Sequence, residues 1–238
     1  MERLYRVTRH GRVSFMFRPG QRYLVLLHGL GGLGNNFMKL AGCIDPYYGL
    51  VFPDLLGHGK SDSPEDITIK TQSEAVEDLI NEMGIKEFYI GGNSYGGWVS
   101  LEHESEFRNS LGIILISSAG TNPTVGDLGD ESVDSFLSRV MNMNPSNRKD
   151  VIRKILLRNS GETFRITSEM LASIDKPSLI IWGSRDSMIS IDHGKFMNEH
   201  LRNSKFVVIE GGGHTPHSSH PKEVCASISD FLDGKTIG

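Results

Sequence analysis

One segment of this 238-residue chain constrains it more than any other: Phe88-Tyr89-Ile90-Gly91-Gly92-Asn93-Ser94-Tyr95-Gly96-Gly97-Trp98. An apolar run with strand character ends in Gly92-x-Ser94-x-Gly96 and passes into a helical pattern over Tyr95–Glu104. Glycine two residues to either side of a serine suits a tight, strained strand-to-helix turn, because side chains there would collide with the turn itself. Such a turn lifts the hydroxyl clear of the sheet. It also sets it at a helix N-terminus, where free amides and the helix dipole favour a developing anion.

The rest of the chain supplies a framework for that turn. Two alternating segments, Leu4–Thr8 and Val13–Phe17, flank His10-Gly11 and predict a hairpin. Short apolar runs then predict strands at Tyr23–Leu27, Leu50–Phe52, Glu87–Ile90, Leu111–Ile116, Leu179–Trp182 and Phe206–Ile209. Helical patterns separate them at Asn36–Ala41, Thr71–Met83, Tyr95–Glu104, Ile191–Leu201 and Pro221–Leu232. An antiparallel start followed by strand–helix alternation is an α/β sheet with an antiparallel edge. From about Thr121 to Ile174 the alternation stops. Val133, Phe136, Leu137, Val140 and Met141 predict one amphipathic helix, Val151, Ile152, Ile155 and Leu156 a second, and Met170, Leu171 and Ile174 a third. This reading divides the chain into a core of residues 1–120 and 175–238 and a helical cap of residues 121–174. The cap enters at the carboxyl end of a strand, where α/β sites lie.

A serine hydroxyl needs a base beside it and a group to orient that base. In this kind of sheet the order is serine, carboxylate, histidine. Leu179–Trp182 leads into Gly183-Ser184-Arg185-Asp186, and Phe206–Ile209 leads into Glu210-Gly211-Gly212-Gly213-His214. We therefore expect Ser94 as nucleophile, His214 as general base and Asp186 as its orienting acid. The competing histidines fare worse. His217 and His220 head into the last helix, His28 and His58 sit in glycine-rich loops of their own, and His10, His103, His193 and His200 read as surface residues. Asp192, the nearest rival carboxylate, reads as part of a helix start. For the oxyanion the expected donors are the backbone amides of Tyr95 and of Leu30 in His28-Gly29-Leu30-Gly31-Gly32.

Gly29-Leu30-Gly31-Gly32-Leu33-Gly34 also fits G-x-G-x-x-G, with Asp54 twenty residues past Gly34 (54 − 34 = 20), the form of a dinucleotide-binding turn. His28 interrupts the apolar approach to it, Asp54 opens a tight loop, and the reading leaves Ser94, Asp186 and His214 unexplained. No cofactor or metal is therefore expected; a triad and water suffice.

A net charge of −4 with no basic run argues against nucleic acid as a partner. Cys43 and Cys225, far apart in sequence, read as two separate buried thiols in a reducing compartment. The opening MERLYRVTRHGRVSF lacks the apolar stretch of a signal peptide, and runs such as Ile113–Ile116 are too short to span a bilayer. The expectation is a soluble, cytoplasmic protein acting on a small molecule, with no membrane partner and an oligomeric state, monomer or homodimer, left open.

Five motifs in order, HGLGG at 28–32, DLLGHGKSD at 54–62, GGNSYGG at 91–97, WGSRD at 182–186 and GGGH at 211–214, make the chain resemble the α/β-hydrolase superfamily along nearly its whole length. The resemblance implies the α/β-hydrolase fold, a mostly parallel eight-stranded sheet with helices on both faces and a small helical cap after strand six. It also implies structural roles for Asp54, His58 and Ser61 near the oxyanion turn. GNSYGG is similar to the GNSMGG turn of meta-cleavage product hydrolases, with Tyr95 in place of Met, while their longer HGGGPG loop is absent. Epoxide hydrolases and haloalkane dehalogenases carry aspartate where this chain has Ser94. The leading expectation is a carboxylesterase for small to medium acyl chains, with an apolar pocket suggested by Phe136, Met141, Met143 and Phe164. Carbon–carbon, amide or thioester hydrolysis on the same triad, or a small-ligand receptor with slow turnover, are the alternatives.

Overall fold

The computed structural model describes residues 1–234. Eight strands among them form one sheet: β1 Glu2–Thr8, β2 Gly11–Arg18, β3 Arg22–Leu27, β4 Tyr48–Pro53, β5 Phe88–Asn93, β6 Gly112–Ile116, β7 Ser178–Gly183 and β8 Ser204–Ile209. Their spatial order is β1-β2-β4-β3-β5-β6-β7-β8. The β1–β2 hairpin and the β2–β4 pair are antiparallel, and every later pair is parallel. Nine α-helices accompany the described strands: α1 Met38–Ala41, α2 Ile69–Glu82, α3 Tyr95–Phe107, α4 Asp130–Met143, α5 Lys149–Arg158, α6 Ser168–Ser173, α7 Ile191–His200, α8 Pro216–Ser219 and α9 Pro221–Leu232.

The central strands are apolar on both faces because both are covered. Val25 and Leu27 of β3, Ile113 and Leu115 of β6, and Ile180 and Trp182 of β7 join one core with α2, α3 and α7. Their neighbours Leu24, Leu26, Ile114, Ile116, Leu179 and Ile181 turn to the opposite face and pack with Phe37, Leu40, Val224 and Ile228 beside α1 and α9. This two-residue alternation between two cores explains continuous aliphatic runs where a half-exposed sheet would show apolar–polar alternation.

Between β6 and β7 the described residues hold α4, α5 and α6 and no strand. Val133, Leu137 and Val140 of α4 and Val151, Ile152, Ile155 and Leu156 of α5 are buried against the first core. Residues 235–238 of the expected core segment lie outside the described residues.

Two expectations need correction. Cys43 and Cys225 are not separate thiols but a disulfide, with Cα atoms 6.1 Å apart across a sequence separation of 182. Cys43 follows α1 and Cys225 lies on α9, and these two helices pack side by side on one sheet face. With both sulfurs bonded, the cysteines no longer point to a reducing compartment. His103 is not a surface residue: it is fully buried on α3, with Nε2 3.0 Å from Glu77 Oε2 of α2. Helix α3 lies against the sheet and under α2, so a face that reads as polar is covered, and Glu77 partners one of the two ring nitrogens.

Among the described residues no helix is long and apolar enough to cross a membrane.

Candidate active site

Ser94 sits between the last residue of β5 and the first of α3 with φ 54° and ψ −116°. A non-glycine residue held there stores strain that only a well-determined turn sustains. The turn is pinned by Ser94 N–H donating to Ile116 O (3.1 Å) and by Ser94 O accepting from Ala119 N–H (3.1 Å) and Trp98 N–H (3.2 Å). A Cβ at Gly92 or Gly96 would run into the carbonyl of Leu27 on β3.

His214 and Asp186 come from the loops after β8 and β7. His214 Nδ1 lies 2.9 Å from Asp186 Oδ2. Asp186 Oδ1 accepts from the N–H groups of Met188 (2.9 Å) and Ile189 (3.0 Å). Its side chain is 1% exposed. Burial opposes ionisation of Asp186, but the bonds from His214 and the two backbone amides outweigh it and hold the carboxyl below its ordinary range. The carboxylate is therefore the acceptor and His214 Nδ1–H the donor. Ser94 and His214 both line two cavities, of about 520 and 400 Å³. No hydrogen bond joins the two side chains.

The loop after β3 closes the other side. Gly29 abuts Ser94 Cβ and the Asn93 side chain. Each peptide of the turn is fixed. His28 Nε2 accepts from Leu55 N–H (3.0 Å), so its Nδ1 carries the proton and donates to Gly29 O (2.8 Å), which also accepts from Gly32 N–H (2.8 Å). His58 Nε2 accepts from Gly31 N–H (3.0 Å) while its Nδ1–H donates to Leu56 O (3.1 Å). Both rings act as acceptors and so are neutral. Burial pushes His28 down, and burial with His28 as neighbour pushes His58 down to about 3. The N–H groups of Leu30 and Tyr95 donate to no group among the described residues, and both residues line the larger cavity.

Asp54 is spent within this framework. It accepts from Arg3 (2.7 Å), Gly34 N–H (2.9 Å) and Lys60 N–H (3.2 Å) and is 1% exposed. It has no oxygen free for a ribose, which disposes of the dinucleotide reading of the glycine turn. Ser61 Oγ donates to Asp54 O and accepts from Ser14 N–H (2.9 Å).

Residues of the 28–32, 91–97 and 211–214 motifs line one cavity, with His58 and Asp186 of the other two motifs holding them from behind, and a family model described as "Alpha/beta hydrolase family" matches residues 24–227. The chain belongs to the alpha/beta hydrolase family. Lipase 3 of Moraxella sp. (strain TA144) is 23% identical over 89% of this chain and 77% of its own length. Among solved structures, a thermophilic esterase from Thermogutta terrifontis superposes with a TM-score of 0.83 at 19% identity, covering 98% of this chain and 99% of its own. A meta-cleavage product hydrolase from Pseudomonas fluorescens does so with 0.76 at 16% identity, covering 97% of both chains. The alpha/beta hydrolase fold and hydrolase class expected from the motifs are thus found.

Several side chains at this hydrolase's site carry no sequence signal. Asn93 Nδ2 donates to Ile116 O (3.0 Å) and to His214 O (2.9 Å), tying the histidine loop to the serine turn. Arg139 of α4 borders both cavities and pairs with no carboxylate among the described residues. Of the residues expected to form an apolar pocket, Phe136 lines both cavities and Met143 the smaller one, while Met141 and Phe164 line neither. Phe164 acts through its backbone, accepting from Trp98 Nε1 (3.0 Å).

Proposed function

We propose that this hydrolase is a serine carboxylesterase for small to medium acyl chains, working through an acyl-enzyme, with residues 121–174 as a cap over its site. The observation that carries the reading is His214, hydrogen-bonded to Asp186, lining the same cavities as a strained Ser94, beside two backbone amides with no partner among the described residues. Ser94 Oγ attacks the ester carbonyl as its proton passes to His214 Nε2. The carbonyl oxygen takes the negative charge and accepts from the amides of Leu30 and Tyr95, each worth roughly 3–4 kcal/mol to the transition state. Imidazolium, stabilised by Asp186, returns the proton to the departing alcohol. A water then attacks the acyl-enzyme with His214 again as base, releasing the acid and restoring Ser94.

Two cavities meeting at Ser94 suit a substrate with parts on both sides of the scissile bond, and each is of ordinary small-ligand size. Among the described residues Arg139 is the only lysine or arginine on either wall; Glu131 lines the larger cavity, and no acid lines the smaller one. A carboxylate on the part of the substrate reaching Arg139 is therefore favoured.

The test is hydrolysis of p-nitrophenyl esters of increasing acyl length, with Ser94→Ala as control. Turnover that vanishes in the variant supports the reading, and the length optimum sizes the acyl side. Absence of turnover on every ester would refute it.

A further inference from the structure

We infer that Asn147, in the turn between α4 and α5, is a positioning residue that holds the oxyanion turn in shape, so that the helical cap completes the catalytic site rather than only covering it. The inference rests on the serine-hydrolase reading above.

The three peptides of the 29–32 turn are anchored from two directions. The Gly29–Leu30 peptide, which presents the Leu30 N–H, is held through Gly29 O by His28 and Gly32. The Leu30–Gly31 peptide is held through Gly31 N–H by His58. Both anchors belong to the core. The Gly31–Gly32 peptide has its N–H spent within the turn, on Gly29 O, and its carbonyl accepts from Asn147 Nδ2 at 2.9 Å, 116 residues along the chain. That bond is the cap's polar hold on the turn.

The surroundings aim the bond. Asn147 N–H donates to Asn144 O (3.1 Å), and Asn144 Nδ2 reaches Asn147 Oδ1 (3.4 Å), which leaves the Asn147 NH2 group directed at Gly31 O. Val140 of α4 packs on Gly31 so closely that a Cβ there would overlap its Cγ1, and Gly31 has φ +78°. Gly31 is thus a glycine both for its left-handed backbone and because α4 sits on it. A cap that lifts must break the Asn147 bond and uncover Gly31. The Gly31–Gly32 peptide is then free to rotate, and Gly32 N–H can leave Gly29 O, the group that sets the direction of the Leu30 N–H.

The consequence is kinetic. A donor displaced by a fraction of an ångström weakens the transition state and leaves substrate binding largely intact. Asn147→Asp keeps the size and the Oδ1 acceptor but loses the donor, and Asn147→Ala removes both. Each variant should lower kcat for a p-nitrophenyl ester by on the order of tenfold, with KM within about twofold of wild type. Affinity for an alkylboronic acid, which mimics the tetrahedral adduct on Ser94, should fall by the same factor. Amide hydrogen exchange of a peptic fragment spanning residues 28–34 should quicken by a similar factor while fragments of the sheet stay unchanged. A purely structural role predicts the opposite split: a lower melting temperature and a raised KM, with kcat and boronate affinity preserved. That result, or unchanged exchange at 28–34 in both variants, would overturn the inference. Wild-type protein inert to both esters and boronates would instead remove the hydrolase reading and this inference with it.

Discussion

Replacing Asp186 by Asn tests the proposed chemistry at the point where the structure predicts the most from the least change in shape. Asp186 Oδ1 accepts two backbone N–H groups, from Met188 and Ile189, and Oδ2 faces His214 Nδ1. An asparagine at this buried position has two orientations. Turning its NH2 toward Met188 and Ile189 sets donor against donors and strands two backbone amides, at about 1–3 kcal/mol each. The side chain therefore keeps its oxygen on those amides and presents NH2 to His214. His214 must then offer a lone pair at Nδ1 and carry its proton on Nε2, the tautomer that cannot accept from Ser94. Catalysis should fall by about 10⁴, or about 5 kcal/mol in barrier, with the fold intact. The assay is kcat for the best p-nitrophenyl ester alongside thermal unfolding. Residual activity within tenfold of wild type, in a protein whose Ser94→Ala variant is dead, would refute the assignment of Asp186 as the orienting group.

His217 is buried with Nδ1 unpartnered, and burial with His214 nearby pushes it down to about 3; His58 is held down to about 3 as well. Both rings are neutral in the folded state and take up protons on unfolding below their ordinary 6.5. Their contribution to stability is therefore complete above about 6.5 and is lost progressively as pH falls toward about 3. At pH 5 each accounts for a loss of about 2 kcal/mol, and His217→Leu should remove one such share from the difference between urea unfolding at pH 7.5 and pH 5. An unchanged difference would contradict the neutral assignment of His217. Arg139→Glu should lower kcat/KM for the p-nitrophenyl monoester of a dicarboxylic acid, relative to the uncharged ester of equal length, by at least about tenfold. Equal effects on the two substrates would mean that Arg139 meets no substrate charge.

The sheet and the serine turn were legible in the sequence because their signals are local. Two alternating segments marked the edge hairpin and six apolar runs the strands after it, since a strand buried on both faces needs nearly every residue apolar. Gly92 and Gly96 marked the turn because no side chain fits beside the Leu27 carbonyl. Asp186 and His214 could be singled out because each follows a strand directly, so that the sheet, once assumed, brings their loops to the same end. Other features depend on surfaces that meet only when the chain is folded. His103 looks like a surface residue until α2 covers it and Glu77 partners its Nε2. Cys43 and Cys225 look unrelated until α1 and α9 share a sheet face. Met141 and Met143 lie two residues apart on α4, so the helix turns only Met143 onto a cavity wall. Asn147 and Gly31 stand 116 residues apart with no shared motif, and their hydrogen bond exists only because α4 and α5 settle over the 29–32 turn. The sequence by itself determined which residue types stand at the ends of which strands, because local sterics and periodicity are written along the chain. Tertiary structure alone decided which buried polar groups found partners and what surrounds the serine, because those depend on packing between segments whose separation in sequence says nothing of their distance in space.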